Sequence, residues 1–590
     1  RRKWWLLVFA ASVSANYQHH TQPNIVFIMA DDMGWNDVSY HGSDQILTPN
    51  LDALAARSVI LQQYYTEAIC TPARTALLTG KYPMRLGMQG FPLYNSEDRG
   101  IPLTERLLPQ YLKSLGYATH LVGKWHLGMS RPEFLPTARG YDDHYGPRGG
   151  FVDYYTYNKV EQWPNGRLMF GADFFDNDIS QHNEDGYMID LLTERAIKII
   201  HCHNTTQPLF LHVTTTAPHA GNAGGLLQPP LYRPVGHRHI ANSDRRLYAE
   251  LVSALDRSVG EIVEALYQTQ MLHNTLIIFV SDNGAPTIGQ FNNWGNNLPF
   301  RGKKETPWEG GVRVPAFISH LGFQGRIWDG MMHISDWLPT LVRAAGGNVT
   351  AEIDGVNQWD SIVFNNASRR KEVLIAVEDG GNNRYAAYRA GDYKVVLGNL
   401  TGINNDYYGQ EFLVNREPPP PYFETLISSQ VASVYARMGI YLAPLEMQTL
   451  RSSAAIKQRD TQRDATLCVP TNTRGCLYNV REDPMESHDL WNSANSIATL
   501  LTDRLRTLWA MQMRRGPTAL ADAADPANFQ YIWMPWIYNN STIPSNQNAT
   551  ANDKLNQKLA MNSMNNAPRP PNCEFTNGFR NFLCLLKSIW

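Results

Sequence analysis

Three stretches, residues 24–30, 208–213 and 275–281, are apolar almost without interruption, carry several β-branched side chains and are bounded by polar or turn residues. A strand buried on both faces has this pattern, whereas a half-exposed strand alternates. The sequence between them has helical spacing. Leu51, Leu54 and Ala55 share a face after Thr48-Pro49; Leu107, Leu108, Tyr111, Leu112 and Leu115 do so before Gly116; Leu247, Leu251, Leu255, Val259 and Val263 extend a third stripe. Strands alternating with helices predict an α/β fold, a large mainly parallel sheet sandwiched by helices. From about residue 371 the pattern changes. Residues 384–396 read as two strands around Gly391-Asp392, and 477–480 as another before Pro484, which predicts a smaller C-terminal antiparallel sheet domain. The proline run at 418–421 marks an extended insertion. The Asn- and Pro-rich residues 516–590 predict a loosely ordered extension, despite the aromatic cluster at 531–538.

At 590 residues the chain exceeds the ~250–300 that one core usually supports, in keeping with folded domains at 16–370 and 371–515. Residues 1–15 look like a secretory signal peptide. Arg1, Arg2 and Lys3 precede an apolar run from Trp4 to Ala11, and Val13-Ser14-Ala15 places small residues before a cleavage point after Ala15. That run is about half the ~20 residues a membrane span needs, and no later stretch is long enough, so no span is expected. A net charge of -2 leaves no basic footprint for nucleic acid. Asn204, Asn348, Asn366, Asn399, Asn540 and Asn548 each open an Asn-x-Ser/Thr triplet, which suits a secretory glycoprotein. Six cysteines are too few to be the main source of stability; spacing suggests Cys468 with Cys476 and Cys573 with Cys584, setting Cys202 and Cys70 apart.

Candidate chemistry collects just past the strand ends, where open α/β sheets bind ligands. The first strand runs into Asp31-Asp32 and the third into Asp282-Asn283-Gly284. Three carboxylates and an amide are hard oxygen donors, suited to Ca²⁺ or Mg²⁺ rather than Zn²⁺. Either pair alone would serve as well for a helix cap or a turn; their shared position relative to strands is what points to a metal. Gly123-Lys124-Trp125-His126-Leu127-Gly128 follows a strand at 119–122, and Ala217-Pro218-His219 follows the strand from 208. Arg301-Gly302-Lys303-Lys304 precedes Trp308-Glu309-Gly310-Gly311-Val312-Arg313.

Between the acidic pairs lies Cys70-Thr71-Pro72-Ala73-Arg74, continuing to Leu78-Thr79-Gly80-Lys81. Cysteine with proline two positions on, arginine four on and Leu-Thr-Gly beyond resembles the signature of the type I sulfatases, and 123–128 resembles their second signature. One position departs from the commonest pattern, Ala73 standing where many members have Ser. The resemblance implies an alkaline-phosphatase-like fold and a formylglycine made from Cys70 by a formylglycine-generating enzyme. The chemical need is clear: a thiolate attacking a sulfate ester would leave a stable adduct, whereas an aldehyde hydrate has one hydroxyl to attack and a second to expel sulfate.

The same resemblance implies Ca²⁺, with Mg²⁺ the lesser candidate, on Asp31, Asp32, Asp282, Asn283 and the modified Cys70. Catalytic roles would fall to Arg74, Lys124, His126, His219 and Lys304, of which Lys124, His219 and Lys304 would touch the sulfate. Counting back from Glu309 selects Lys304 over Lys303. A hydrate oxygen would attack sulfur in line, the alcohol would leave, His126 would deprotonate the second hydroxyl and sulfate would depart. Motif order across residues 24–510 is similar to the arylsulfatase B group, implying the 4-sulfate of N-acetylgalactosamine in dermatan or chondroitin sulfate and a lysosomal or secreted destination. An aryl or other carbohydrate sulfatase acting on small sulfate esters, a phosphate or phosphonate monoester hydrolase, and a non-catalytic sulfoglycan-binding protein stand as alternatives.

Overall fold

The computed structural model describes residues 22–538 except 164, 233–235, 290, 379–383, 401–404, 457–466 and 514–519. Residues 1–15, Cys573, Cys584, Asn540 and Asn548 lie outside the described residues. The strands, in chain order, are β1 (Asn24–Ala30), β2 (Ser58–Tyr65), β3 (Ala118–Gly123), β4 (Asp143–Gly146), β5 (Asn158–Gln162), β6 (Leu168–Ala172), β7 (Phe175–Asp176) and β8 (Ile179–Ser180). They continue with β9 (Leu209–Thr214), β10 (Thr275–Ser281), β11 (Ala316–Ser319), β12 (Arg326–His333), β13 (Glu372–Glu378), β14 (Arg384–Ala390), β15 (Tyr393–Asn399) and β16 (Cys476–Asn479).

The three apolar runs are neighbours at the centre of a 10-stranded sheet of order β12-β2-β11-β10-β1-β9-β3-β4-β7-β8. From β10 to β4 every pairing is parallel; β11 runs antiparallel to both its neighbours, and β7 and β8 close the far edge antiparallel. The sheet is therefore mixed outside its parallel centre. Successive residues of β1 divide between two cores, as the two-residue side-chain period requires. Val26, Ile28 and Ala30 pack on one side under the helices Met188–Cys202 and Ser243–Gln268. Ile25, Phe27 and Met29 pack on the other, under Cys70–Thr79, Leu108–Ser114 and Trp337–Ala344.

Strands β13 to β16 form the expected antiparallel sheet, backed by the helix Asn495–Ala510. Its apolar face shares a core with Ile69, Cys70, Trp308 and Val312, so the cysteine sits where the two sheets meet. Cys468 and Cys476 are joined as a disulfide. Among the described residues no helix is long and apolar enough to cross a membrane.

Two segments differ from the sequence reading. After the proline run at 418–421 the chain is not extended. It forms helices Tyr422–Ile427, Gln430–Arg437 and Pro444–Ala454, which return to the larger core through Leu426, Val431, Val434 and Tyr435. Residues 520–538 are likewise not loose. Trp533 is fully buried beside Met129, Trp163 and Met169, donates from its indole to Lys159 O (3.2 Å), and its backbone donates to Ala172 O (3.0 Å). The aromatic side chains have enough apolar area to order a segment whose composition otherwise favours disorder.

The sheets are joined by a buried charge cluster. Lys394 Nζ lies 2.9 Å from an oxygen of Glu309 and 2.9 Å from one of Glu486, but only Glu309 is in line for a hydrogen bond. Burial pushes Glu486 up to about 7, Lys394 opposing and Glu309 reinforcing the rise. The folded form thus keeps a proton that the unfolded chain releases near its ordinary value, and stability should fall as pH rises from about 4.5 to about 7. Melting temperature measured across that interval should decline, and Glu486→Gln should flatten the decline; a wild-type profile no steeper than that of Glu486→Gln would contradict the assignment. Lys394→Met should cost about 3–5 kcal/mol in denaturant unfolding, by leaving buried carboxylates without their cation.

Candidate active site

Parallel register assembles the site. Ala30 is paired with Ser281, Met29 with Thr214, and Thr214 with Gly123, so β1, β10, β9 and β3 all end at one level of the sheet. Asp31-Asp32, Asp282-Asn283 and Lys124 leave that edge together, and all are buried. Lys124 N donates to Thr214 O (2.8 Å). The close crossing there needs glycine: Gly123 has φ 119°, and a Cβ would lie 2.0 Å from Thr214 O. Asp32 holds a left-handed backbone, φ 65°. It is fixed by its N–H on Asp282 Oδ1 (3.1 Å) and by Asn293 Nδ2 donating to its carbonyl (3.0 Å).

Cys70 opens the helix Cys70–Thr79, where it is 2% exposed. Burial pushes its thiol up, outweighing Lys124 and Lys304. The side chain is therefore a thiol rather than the thiolate a cysteine nucleophile requires. One turn on, Arg74 donates to Asp282 Oδ2 (2.9 Å) and to Lys124 O (3.2 Å), and its buried Nε–H has no acceptor among the described residues.

Backbone carbonyls assign the tautomers of the two histidines. His126 Nε2 faces Leu93 O at 3.1 Å and so carries the hydrogen, leaving the Nδ1 lone pair 3.3 Å from Cys70 Sγ. Burial, then Lys124, Lys159 and Arg74, hold His126 well below the usual histidine range. His219 Nδ1 faces Ala220 O at 2.7 Å, so its free lone pair is on Nε2, 3.3 Å from Lys304 Nζ and 3.2 Å from Asp32 Oδ2. Burial lowers His219 as well, against the pull of Asp32.

Three carboxylates face three cations. Lys124 Nζ bonds Asp31 Oδ2 (2.6 Å), Lys304 Nζ bonds both oxygens of Asp32 (2.6 and 2.7 Å), and Arg74 holds Asp282. Burial opposes the charge on Lys304, but Asp32 and its neighbours hold the ammonium's pKa far above its ordinary value. Burial raises Asp31 too, yet Lys124, His219 and Arg74 together bring it below the usual carboxylate range. Asp282 is raised, by burial and by Asp31. Asp31 Oδ1 and Asn283 Oδ1 are buried oxygens with no hydrogen-bond donor among the described residues. Oxygens of Asp31 and Asp32 and a nitrogen of His219 lie within 4.8 Å of one another. Uncompensated buried oxygens beside a carboxylate cluster fit a hard divalent cation.

The structure brings together every site residue named from the sequence. Lys304 reaches the cluster, whereas Lys303 turns its Nζ to Lys304 O at 3.4 Å. Sequence reasoning missed the supports. Asn293 ties the Asp32 turn to the His219 loop through Asp32 O and Pro218 O. Gly150 lets the chain pass over His126, whose ring a Cβ there would meet at 2.6 Å, and Gly149 lets it pass Asn95, whose Oδ1 a Cβ would meet at 2.1 Å. The adjacent glycines were the one available signal, since a doublet marks close backbone approach.

Residues 23–347, more than half of the chain, match a family model described as Sulfatase, and the chain belongs to the sulfatase family. It is 40% identical over 365 residues to Arylsulfatase J of Mus musculus, covering 61% of this chain and 58% of that one. It is 34% identical over 358 residues to N-acetylgalactosamine-6-sulfatase of Mus musculus, covering 57% and 65%, so it spans less than two thirds of either relative. Arylsulfatase A of Bos taurus is 30% identical over 431 residues, 68% of this chain and 80% of the relative. The crystal structure of Ps i-CgsB superposes with TM-score 0.62 at 24% identity over 93% of this chain and 98% of that one. PsFucS1 sulfatase from Pseudoalteromonas sp. gives 0.59 at 23% over 86% and 95%. Both show the fold, the alkaline-phosphatase-like arrangement expected from the motifs.

Gly150→Ala should displace His126 while leaving the fold intact. Turnover at this site should fall by roughly 100-fold, the order of cost of a 1 Å misplacement, with an unchanged far-ultraviolet spectrum. Wild-type turnover in this variant would show that the close approach is dispensable.

Proposed function

We propose that the protein hydrolyses sulfate monoesters at the buried charge cluster around residue 70. The observation that carries this reading is the neutral His126, its Nδ1 lone pair 3.3 Å from the residue-70 side chain, among three cations and the oxygen donors of Asp31, Asp32, Asp282 and Asn283. A hydrated formylglycine would supply the attacking hydroxyl, and Cys70 Sγ stands for the oxygen that faces His126. Because Cys70 is 2% exposed, its conversion by a formylglycine-generating enzyme has to precede folding around it. Ca²⁺, or less suitably Mg²⁺, held by Asp31, Asp32, Asp282, Asn283 and the modified residue 70, would supply Lewis-acid stabilisation of sulfate oxygens.

The remaining work belongs to the chain's own side chains. Lys124 and Lys304 bind and neutralise the anionic group, and Arg74 orients residue 70. His126 Nδ1 takes the proton of the residue-70 hydroxyl, which expels sulfate and regenerates the aldehyde. Lys304 holds its proton too firmly to release it readily, which suits charge stabilisation of the departing oxygen, and neutral His219 turns its Nε2 lone pair towards that ammonium. With its pKa well below the ordinary value, His126 keeps its lone pair in an acidic compartment, in keeping with a lysosomal or secreted destination.

The substrate proposed from motif order is the 4-sulfate of N-acetylgalactosamine in dermatan or chondroitin sulfate. The 34% identity to N-acetylgalactosamine-6-sulfatase favours the 6-sulfate as a second reading. Incubation with 4- and 6-sulfated disaccharides and chromatography of the products should show one isomer consumed at least tenfold faster, about 1.4 kcal/mol in kcat/KM. The Cys70 peptide should weigh about 18 Da less than the cysteine form, and Cys70→Ala should fold without turning over any sulfate ester. Residual turnover in Cys70→Ala comparable to wild type would refute the mechanism.

A further inference from the structure

Beside His219 the wall of the site changes from charged to aromatic. Phe151 stacks on the His219 imidazole, ring centroids 5.4 Å apart and planes inclined by 25°. Phe291 leans on Phe151 at 5.0 Å and 59°. Phe151 is closely constrained: Lys159 Nζ lies 5.7 Å from its ring centroid, and the chain before it passes directly over His126 at Gly150. Phe291 forms the outer end of the stack. It is 40% exposed and holds a left-handed backbone, φ 59°, which is unfavourable for a bulky side chain.

A lone exposed aromatic ring needs no explanation. This one ends a continuous stack, Phe291 on Phe151 on His219, whose inner end meets Lys304 Nζ at 3.3 Å. The inner groups complement a sulfate but offer little to the carbon skeleton that carries it. Ligand sites usually combine a few fixed polar groups with apolar and aromatic walls. A strained, exposed phenylalanine supplies such a wall without introducing another charge. A pyranose presents C–H groups on its flatter face and an aryl ring presents its π-face; either packs on an aromatic ring through the same apolar contact.

We infer that Phe291, carried on Phe151, is the surface against which the six-membered ring of the esterified alcohol packs, making Phe291 a specificity-determining residue. The inference rests on the sulfatase reading of the same site and extends it from the sulfate to the ring.

The test compares wild type, Phe291→Ala and Phe291→Trp on 4-nitrophenyl sulfate and on sulfated N-acetylgalactosamine disaccharides, with inorganic sulfate as competitive inhibitor. Phe291→Ala should raise KM about fivefold for at least one ring ester, in line with the energy of a single aromatic contact. Its kcat should change less than twofold, inhibition by inorganic sulfate should be unaltered, and Phe291→Trp should restore KM. A rise confined to the aryl ester identifies an aryl ring as the occupant, and one confined to the disaccharide identifies a sugar. Unchanged KM for both esters overturns the inference and leaves the sulfatase reading intact, as does equally weakened inhibition by inorganic sulfate. Wild-type protein with formylglycine at residue 70 that turns over neither ester removes both.

Discussion

The pairing of Ala30 with Ser281 is the constraint on which the site depends. It brings β1 and β10 to the sheet edge together, so that acidic pairs separated by some 250 residues become neighbours, Asp32 N donating to Asp282 Oδ1 across the gap. A shift of one residue in either strand would exchange the two cores and turn the carboxylates apart. Such a slip is opposed along the whole strand, because both faces of β1 are packed and every side chain would meet the wrong layer. Precision at the site is thus a by-product of burying two apolar surfaces.

Charge balance is the second constraint. Asp31, Asp32 and Asp282 would be costly to bury alone, and Arg74, Lys124 and Lys304 would be equally costly. Together they compensate one another, and the two oxygens on Asp31 and Asn283 are left without a donor among the described residues. Burial also sets the histidines. Neutral imidazoles with their N–H groups on backbone carbonyls keep one lone pair each directed inward, at residue 70 and at Lys304.

The later part of the chain supports this arrangement from outside. Lys394 and Glu486 hold Glu309, whose short helix packs Gly310 against Gly284; a Cβ at Gly284 would lie 1.9 Å from Gly310 O. Trp533 secures the β5–β6 hairpin that carries Lys159. These contacts give the smaller sheet and the segment at 520–538 a part in the geometry of a site whose own residues come from the first 304 positions.

The sequence by itself determined the elements and the chemistry. Unbroken apolar runs specified doubly buried strands, helical spacing specified their covering layers, the residue types after the strands offered hard oxygen donors and cations, and the resemblance of residues 70–81 to the sulfatase signature singled out Cys70. Those signals are local, carried by hydrophobic period and by motif. Only the tertiary structure decided what depends on contacts between distant segments: which nitrogen of each histidine is free, that Asn293 braces two loops, and that the helices after 421 and the aromatics near 533 pack rather than hang loose. Side-chain direction and hydrogen-bond partners at those positions are set by neighbours hundreds of residues away, which no window along the chain contains.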